Sequence, residues 1–312
     1  GGNGSSRLGF MGEEDLGNGL KAIFKLELGS LTTDAATNGI GNTREALVGL
    51  KSAQFGQVTL GRVQTAGYYW TQKYDTMSIA PLTSLASVVG RKELFLNSGS
   101  AEVGRMPNAV TYISPKFSGL TLRADVAAGE QVTGTSGSAS TAFNKAQGFY
   151  ALNADYDNGP LAVGVVYTQV NNIGGTTNSG KALDARDIGI GGSYDFKVAK
   201  PFLMYQESKF EQLTGSDIKN KMWNLGVQVP VGPKGVVKLA YMDYKNNQAN
   251  AVKANGIAIQ YEHLMSKRTK LYAGYQTINN GQYANFYTGG SSGRTSADKD
   301  ASVIGFGIRH NF

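Results

Sequence analysis

The sequence predicts an all-β protein, an antiparallel transmembrane β-barrel, and three observations lead to that prediction. The closing segment, 301–312, carries large side chains at every second position: Ile304, Phe306, Ile308, His310 and Phe312. Because strand side chains alternate between two faces, this segment is largely apolar on one face and small or polar on the other. The same alternation recurs about fifteen times at hairpin spacing, as in membrane barrels. Almost no helical periodicity interrupts it.

The composition agrees with a barrel and excludes several other classes. Charged residues are 17% of the chain, below the roughly 25% of ordinary soluble domains. The mean hydropathy of -0.25 is too polar for a helical membrane protein, and no run approaches the roughly 18 apolar residues of a membrane helix. A strand barrel reconciles these facts because half of its residues face water. The absence of cysteine excludes disulfides and thiolate metal sites.

Charge and motifs argue against nucleic-acid binding, catalysis and cofactors. The net charge is +7, but lysine and arginine are scattered without a basic run, so nucleic acid is not a predicted partner. Two histidines, His263 and His310, cannot be placed with a nucleophile and a carboxylate, and they are too few for a metal site. No phosphate-binding Gly-Lys-Ser/Thr motif occurs. We therefore predict no enzyme, no cofactor and no metal.

The alternation divides the chain into strands joined in pairs by short turns, such as the Asn-Gly-Pro turn at 158–160. Polar residues at 13–19 are interpreted as the first turn. Glycine-rich and serine-rich stretches, such as 129–146, are interpreted as loops. The predicted strands are 7–12, 20–29, 44–53, 57–63, 108–117, 120–128, 148–156, 161–170, 186–196, 201–210, 222–231, 236–244, 256–265, 269–277 and 301–312.

One long segment, 64–105, lacks sustained alternation, and a short helix is predicted within it at 69–76 or 81–89. Elsewhere, short turns alternate with long loops, which is the asymmetry of outer-membrane barrels with tight periplasmic turns. This places Phe312 at the periplasmic end and Gly1 at an external loop. An odd strand count predicts either one more strand before Gly1 or a different partner for the closing strand. The whole chain, 1–312, is predicted to be one domain.

Several motifs together resemble the general porins of Gram-negative bacteria, most closely their betaproteobacterial branch. They are the opening hairpin at 6–24 (SRLGFMGEEDLGNGLKAIF), then 46–51 (ALVGLK), 55–62 (FGQVTLGR), 110–119 (VTYISPKFSG) and 307–312 (GIRHNF). The resemblance implies a sixteen-stranded homotrimeric barrel in the outer membrane, in contact with its lipid and lipopolysaccharide. It implies that small hydrophilic solutes diffuse through it, that segment 64–105 folds into the lumen as a constriction loop, and that Phe312 is a membrane-assembly signal.

The candidate selectivity residues are charged side chains near that constriction. The alternation of side chains along their strands predicts that Arg7, Lys21, Lys25 and Arg123 face the lumen. Strict alternation places Arg62 on the lipid face, whereas the resemblance places it in the basic wall of the pore. The family's third wall arginine would fall near Thr111 or Ile113, neither of which is basic, and Arg123 is the candidate replacement. The loop adds mixed charges: Asp75, Arg91, Lys92, Glu93, Glu102 and Arg105.

A basic wall that faces a loop without an acidic Pro-Glu-Phe-Gly-Gly stretch predicts a channel that prefers anions. Other interpretations stay open. The basic side chains can simply pair with the inward carboxylates Glu27, Glu45, Asp125, Asp155 and Glu262. The aromatic residues Tyr68, Tyr69 and Trp70 either bind solutes or pack the loop on the wall. A substrate-selective porin, a surface-displayed all-β binding protein and, least supported, an outer-membrane hydrolase are the alternative functions.

Overall fold

A computed structural model describes residues 6–29, 43–92, 104–128, 148–171, 183–212, 215–288 and 297–312. These residues form one fifteen-stranded antiparallel sheet in which every strand pairs with its neighbours in sequence. The strands are β1 (Arg7–Gly17), β2 (Leu20–Gly29), β3 (Thr43–Ser52), β4 (Gly56–Gln64), β5 (Arg105–Ile113), β6 (Leu120–Ala128), β7 (Gly148–Asn158), β8 (Leu161–Val170), β9 (Ala185–Tyr194), β10 (Lys200–Phe210), β11 (Ile218–Val231), β12 (Gly235–Asn246), β13 (Lys253–Leu264), β14 (Thr269–Asn280) and β15 (Ala301–His310).

The predicted number of strands and their antiparallel order are confirmed. β1 and β15 are the two edges of the sheet, and the sixteenth strand that the resemblance implies has no counterpart among the described residues. Two kinds of connection alternate along the sheet. Short turns such as 195–199 lie at one end, which we call the periplasmic end, and longer connections lie at the other, external end.

The two faces of the sheet meet different surroundings, as the alternation predicts. On β12, Leu239 and Tyr241 are 41% and 42% exposed, whereas Ala240 and Met242 between them are 4% and 0% exposed. The large exposed apolar side chains follow this outward parity around the wall, and a barrel places that parity against lipid. The inward parity is polar, small or covered by the inserted segment.

The predicted turn at 13–19 is wrong in its extent. β1 continues through Gly17, and Glu13, Glu14 and Asp15 pair with Ile23, Ala22 and Lys21 of β2. The true turn is Asn18–Gly19, with φ of 51° and 74°, the left-handed values of a two-residue hairpin turn. The three acidic residues lie at the end of β1 that faces water, where polar side chains are compatible with backbone pairing to β2.

The strand predicted at 108–117 is also displaced. β5 starts at Arg105 and ends at Ile113, and Asn108 interrupts it with a left-handed φ of 51°. The register with β4 shifts at the same place, between the pairs Gly61↔Ala109 and Val63↔Met106. A bulge therefore breaks the alternation that locates a strand start in the sequence.

The inserted segment forms two helices where the sequence predicts a single short helix at 69–76 or 81–89, and each overlaps one of these alternatives. They are α1 (Ala66–Tyr74) and α2 (Leu85–Lys92), and Thr65 caps α1 by accepting a hydrogen bond from the Tyr68 amide. Neither described helix has the length or apolar run needed to cross a membrane. α1 packs on the inner faces of β6 to β10, and α2 packs on those of β11 to β13. The loop thus lines one side of the lumen, as predicted.

Small residues in the wall allow α1 to lie flat against it. A Cβ atom on Gly189 would lie 2.5 Å from the Trp70 ring, and one on Gly191 would lie 2.5 Å from the Tyr74 ring. The indole Nε1 of Trp70 donates to the Gly164 carbonyl at 3.1 Å. Since Trp70 is fully buried and Tyr68 is 7% exposed, packing on the wall is the main role of the aromatic cluster, and only Tyr69 is substantially exposed.

Candidate functional site

The inner wall formed by β1, β2 and β3, on which neither described helix packs closely, carries a network of charged side chains. The Arg44 Nε atom lies 2.5 Å from a Glu27 carboxylate oxygen, and the Arg7 guanidinium lies 3.7 Å from the same oxygen. Lys25 lies 3.7 Å from Glu27 and also pairs with Glu45. Two carboxylates are therefore shared among three cations.

A β-bulge creates this arrangement. Glu27 pairs with Glu45, but the next residue, Leu28, pairs with Thr43, so Arg44 is an extra residue on β3. Both Arg44 and Glu45 consequently reach the inner network, which strict alternation would forbid. The sequence analysis missed Arg44 for this reason. The adjacent charges Arg44-Glu45 at the start of a strand are the one signal for a broken alternation there.

Arg105 faces this network from the start of β5, where the chain leaves the inserted segment. Its guanidinium lies 5.0 Å from the centre of the Tyr68 ring, a cation–π distance. The Tyr68 hydroxyl in turn accepts from Arg44 Nη2 at 3.4 Å. The Nε of Arg105 is buried and has no hydrogen-bond acceptor among the described residues. The positive charge of Arg105 therefore has no carboxylate partner in the described part of the chain.

Arg123 joins the network from β6. Its Nε donates to Asp125 at 2.9 Å, Nη2 donates to the Gln64 carbonyl, and the guanidinium lies 4.7 Å from the Tyr69 ring centre. Asp125 also accepts from the Ala66 amide at the start of α1. Arg123 therefore both adds positive charge and helps to hold the beginning of the inserted segment.

Arg62 lies at the bulge of β4 and is half-buried. Its Nε donates to the Thr43 carbonyl at 2.9 Å, and its register partner on β3 is Ala46, which has outward parity. Placement of Arg62 in the pore wall stays a prediction.

The remaining predicted site residues lie apart from this network. Lys21 pairs with Glu13 at the periplasmic end of β1 and β2. Asp75 is fully buried behind the end of α1, so it offers no carboxylate oxygen to the pore. Arg91 and Lys92 are the last residues of α2, and only their backbone is described. Glu93 and Glu102 lie outside the described residues.

Asp75 stabilises the bend between the two helices. Its carboxylate accepts from the Ile79 amide at 2.8 Å and the Met77 amide at 3.3 Å. Burial raises the pKa of Asp75 above its ordinary value, while hydrogen bonds from Ser84 and these amides and the charge of Lys238 oppose the rise. Ser78 and Ile79 adopt left-handed φ angles of 53° and 59°, so the carboxylate holds a strained turn.

The predicted pairing of inward cations with inward carboxylates is present throughout the lumen. Besides the pairs at Glu27, Glu45 and Asp125, Lys73 lies 3.3 Å from Asp155, and Lys238 and Lys270 lie 3.1 Å and 2.8 Å from Glu262. Near the start of the inserted segment, however, cations outnumber carboxylates. We call these eight residues the constriction network: Arg7, Lys25, Arg44, Arg105, Arg123, Glu27, Glu45 and Asp125.

The constriction network suits electrostatic selection of solutes. Five of its members are cationic and three are acidic. At physiological salt, each charge acts on a solute within about 8–10 Å before screening removes most of the interaction. In the described part of the chain, no three histidine, aspartate or glutamate side chains cluster as metal ligands would. The geometry therefore offers a charged passage.

Comparison with known proteins gives consistent similarities. A family model described as Gram-negative porin matches residues 1–283. Outer membrane porin protein 32 of Delftia acidovorans is 34% identical over 318 residues, which cover 99% of this chain and 85% of that protein. An outer membrane porin of Bordetella pertussis is 27% identical, with coverage of 98% and 82%. A solved structure of an anion-selective porin from Comamonas acidovorans is similar with a TM-score of 0.84 and 32% identity, covering 100% of this chain and 91% of that one.

Proposed function

Because the chain belongs to the Gram-negative porin family, we propose that its pore passes small hydrophilic solutes with a preference for anions. The chain is an outer membrane porin, a passive diffusion channel that catalyses no reaction. The observation that supports anion preference is the excess of five cations over three carboxylates in the constriction network. The anion selectivity stated for the Comamonas acidovorans porin supports the same proposal.

Arg105 differs from its neighbours in the network because none of the described carboxylates offsets its charge. Arg7, Arg44, Lys25 and Arg123 each share a carboxylate, which offsets their positive field. Arg105 instead lies on the Tyr68 ring and has no ion pair among the described residues. We therefore infer that Arg105 contributes more to anion preference than its paired neighbours do.

Reversal potential in a planar bilayer across a potassium chloride gradient tests the proposal. The sign is expected to favour chloride over potassium, and Arg105→Gln is expected to lower the chloride-to-potassium permeability ratio by up to about fivefold. That limit corresponds to about 1 kcal/mol for two charges 4 Å apart in water. A potassium-favouring sign in the wild type overturns the proposal.

Lys197→Gln is the matched control, because it removes one positive charge from a periplasmic turn. The side chain of Lys197 is 87% exposed there. It is expected to leave the permeability ratio within experimental error. An equal loss in Lys197→Gln and Arg105→Gln would mean that net charge, and not the constriction network, sets selectivity.

We also propose that the porin works as a homotrimer and contacts outer-membrane lipid, including lipopolysaccharide. The resemblance to general porins supports the trimer. The apolar outward parity of the wall supports contact with lipid, since exposed residues such as Phe10, Leu152 and Leu225 would otherwise meet water.

A further inference from the structure

Five lysines lie side by side on the outward face of β10 to β13, close to the external end of each strand. We call them the lysine band: Lys209, Lys219, Lys221, Lys245 and Lys253. Lys209 is the register partner of Lys219. Lys221 is the partner of Lys245, and Lys245 is also the partner of Lys253. Four neighbouring strands, β10 to β13, thus present like charges directly opposite one another.

The alternation of burial shows that the band points outward. Its residues are exposed or partly exposed, whereas the residues beside them on the inward parity, Ser208, Asn220, Tyr244 and Ala254, are all buried. The lysines therefore project from the outer wall and not into the pore.

The carboxylates nearby do not balance the band. Asp217 lies 2.6 Å from Lys209, and Glu207 lies 3.3 Å from Lys221. Asp243 has the same outward parity, one step nearer the membrane than Lys245. Among the described residues, no carboxylate lies within ion-pair distance of Lys219, Lys245 or Lys253. Like charges directly opposite on a sheet destabilise it, so their presence points to an external anion.

The aromatic residues below the band give its height in the membrane. The rings of Tyr205 and Trp223 stack on the outward face with centroids 4.4 Å apart, and Tyr241 is exposed on the next strand. Tyrosine and tryptophan mark the boundary between hydrocarbon and headgroups. Lys221 is two residues beyond Trp223, about 7 Å further along the strand. The ammonium groups therefore lie at the level of the lipid headgroups.

Arg186 is less suited to an external anion, although it is the register partner of Lys209. It shares a hollow of about 70 Å³ with the carboxylates Asp184 and Glu211. The positive excess is thus concentrated on β11, β12 and β13.

We propose that the lysine band binds the phosphate groups of a phosphorylated lipid headgroup in the outer leaflet. Several ammonium groups at headgroup height complement a lipid that carries more than one phosphate, and clustered lysines attract such anionic surfaces. The proposal rests on the lipid contact proposed above. It does not depend on the pore, because no member of the band belongs to the constriction network.

The test is a binding titration of the folded porin in neutral detergent, followed by fluorescence of Trp223 beside the band. The probes are bisphosphorylated lipid A and its dephosphorylated form. The wild type is expected to bind the phosphorylated form about tenfold more tightly, and Lys245→Gln/Lys253→Gln is expected to lose about tenfold of that affinity. The control Lys234→Gln/Lys267→Gln removes two exposed lysines from periplasmic turns and is expected to bind like the wild type.

Three results would overturn the proposal: equal affinity for both lipid forms, equal loss in both double variants, or full competition by millimolar inorganic phosphate, which would identify a site for the free ion. The chloride-to-potassium permeability ratio of the same preparations is measured in parallel, and heat-resistant migration of the folded barrel verifies folding. If lipid binding fails while anion preference persists, the lysine band alone is refuted; the reverse result refutes only the proposed selectivity.

Discussion

Two regions of the inner wall of the barrel differ in their contact with the inserted segment and in their charge. From β6 to β14 the wall lies under the inserted segment, and most of its inward residues are small or buried, as at Gly191, Met204 and Ala258. From β1 to β3 neither described helix packs closely on the wall, the inward residues are charged, as at Lys25 and Glu27, and the inserted segment reaches them through the hydroxyls of its tyrosines. We call these regions the covered wall and the open wall.

The covered wall determines the shape of the pore, and the open wall determines much of its charge. The covered wall fixes where the inserted segment lies, through close packing and hydrogen bonds such as that from the Tyr74 hydroxyl to Asp155 at 2.7 Å. The open wall then meets water and solutes, so its charges control what passes. The width of the pore and its electrostatic field are therefore set mainly by different residues of one sheet, with Arg123 contributing to both.

The largest expected effect comes from adding one methyl group to the covered wall. In Gly191→Ala the new Cβ would lie 2.5 Å from the Tyr74 ring, so the ring and α1 must move. Overpacking of this kind costs about 1–3 kcal/mol of unfolding free energy. Guanidinium unfolding in detergent, followed by circular dichroism, measures that loss, and single-channel conductance is expected to change because the constriction is displaced.

The neighbouring Gly192 provides the matched control. Its Cβ would point to the lipid face, where the nearest atom is the Ala162 carbonyl oxygen at 3.6 Å, an ordinary contact. Gly192→Ala is expected to leave conductance unchanged. Equal effects of the two substitutions would show that the distinction between the inner and outer parities is mistaken here.

A smaller effect is expected from neutralising one acid on the open wall. Glu45→Gln keeps the shape of the side chain but leaves five cations facing two carboxylates, while Lys25 keeps its contact with Glu27. The chloride-to-potassium permeability ratio is expected to rise by at most about fivefold, equivalent to about 1 kcal/mol at 4 Å in water. Reversal potential in a salt gradient measures it.

Glu13→Gln is the control for this substitution, because Glu13 pairs with Lys21 at the periplasmic end, away from the inserted segment. It is expected to shift the ratio less than Glu45→Gln does. A lower anion preference in Glu45→Gln would contradict the role assigned to the open wall.

The sequence predicted the covered wall better than the open one. Period-two alternation identifies strands such as Leu120–Ala128 and Leu161–Val170 with their observed bounds, because a wall between lipid and lumen requires it. It failed at Arg44 and Asn108, where bulges insert a residue. It also assigned Asp75 to the pore, because the sequence does not reveal which loop carboxylate turns back to bind its own backbone amides. Bulges and tight turns determine where Arg44 and Asp75 lie, and the period of the sequence does not show them.

The smallest expected effect concerns Asp75, which lies in the inserted segment and not in a membrane-spanning strand. Burial raises its pKa in the folded state. The native protein therefore binds this proton more tightly than the unfolded chain does. The resulting stabilisation is fully present below the unfolded pKa and is lost as the pH rises through the raised native pKa. Each unit of difference between the two pKa values corresponds to about 1.4 kcal/mol.

Asp75→Asn removes this proton linkage while keeping one acceptor oxygen for the Ile79 amide. The substitution lowers stability at every pH through the lost second acceptor, so the slope is the informative quantity. Between pH 4 and 7, the unfolding free energy of the wild type is expected to fall relative to that of Asp75→Asn. Asp195→Asn, in the exposed β9–β10 turn, controls for the removal of a carboxylate. Its unfolding free energy is expected to change with pH in parallel with that of the wild type. Parallel wild-type and Asp75→Asn profiles would mean that Asp75 stays ionised in its buried site, and that the backbone amides and Ser84 outweigh desolvation there.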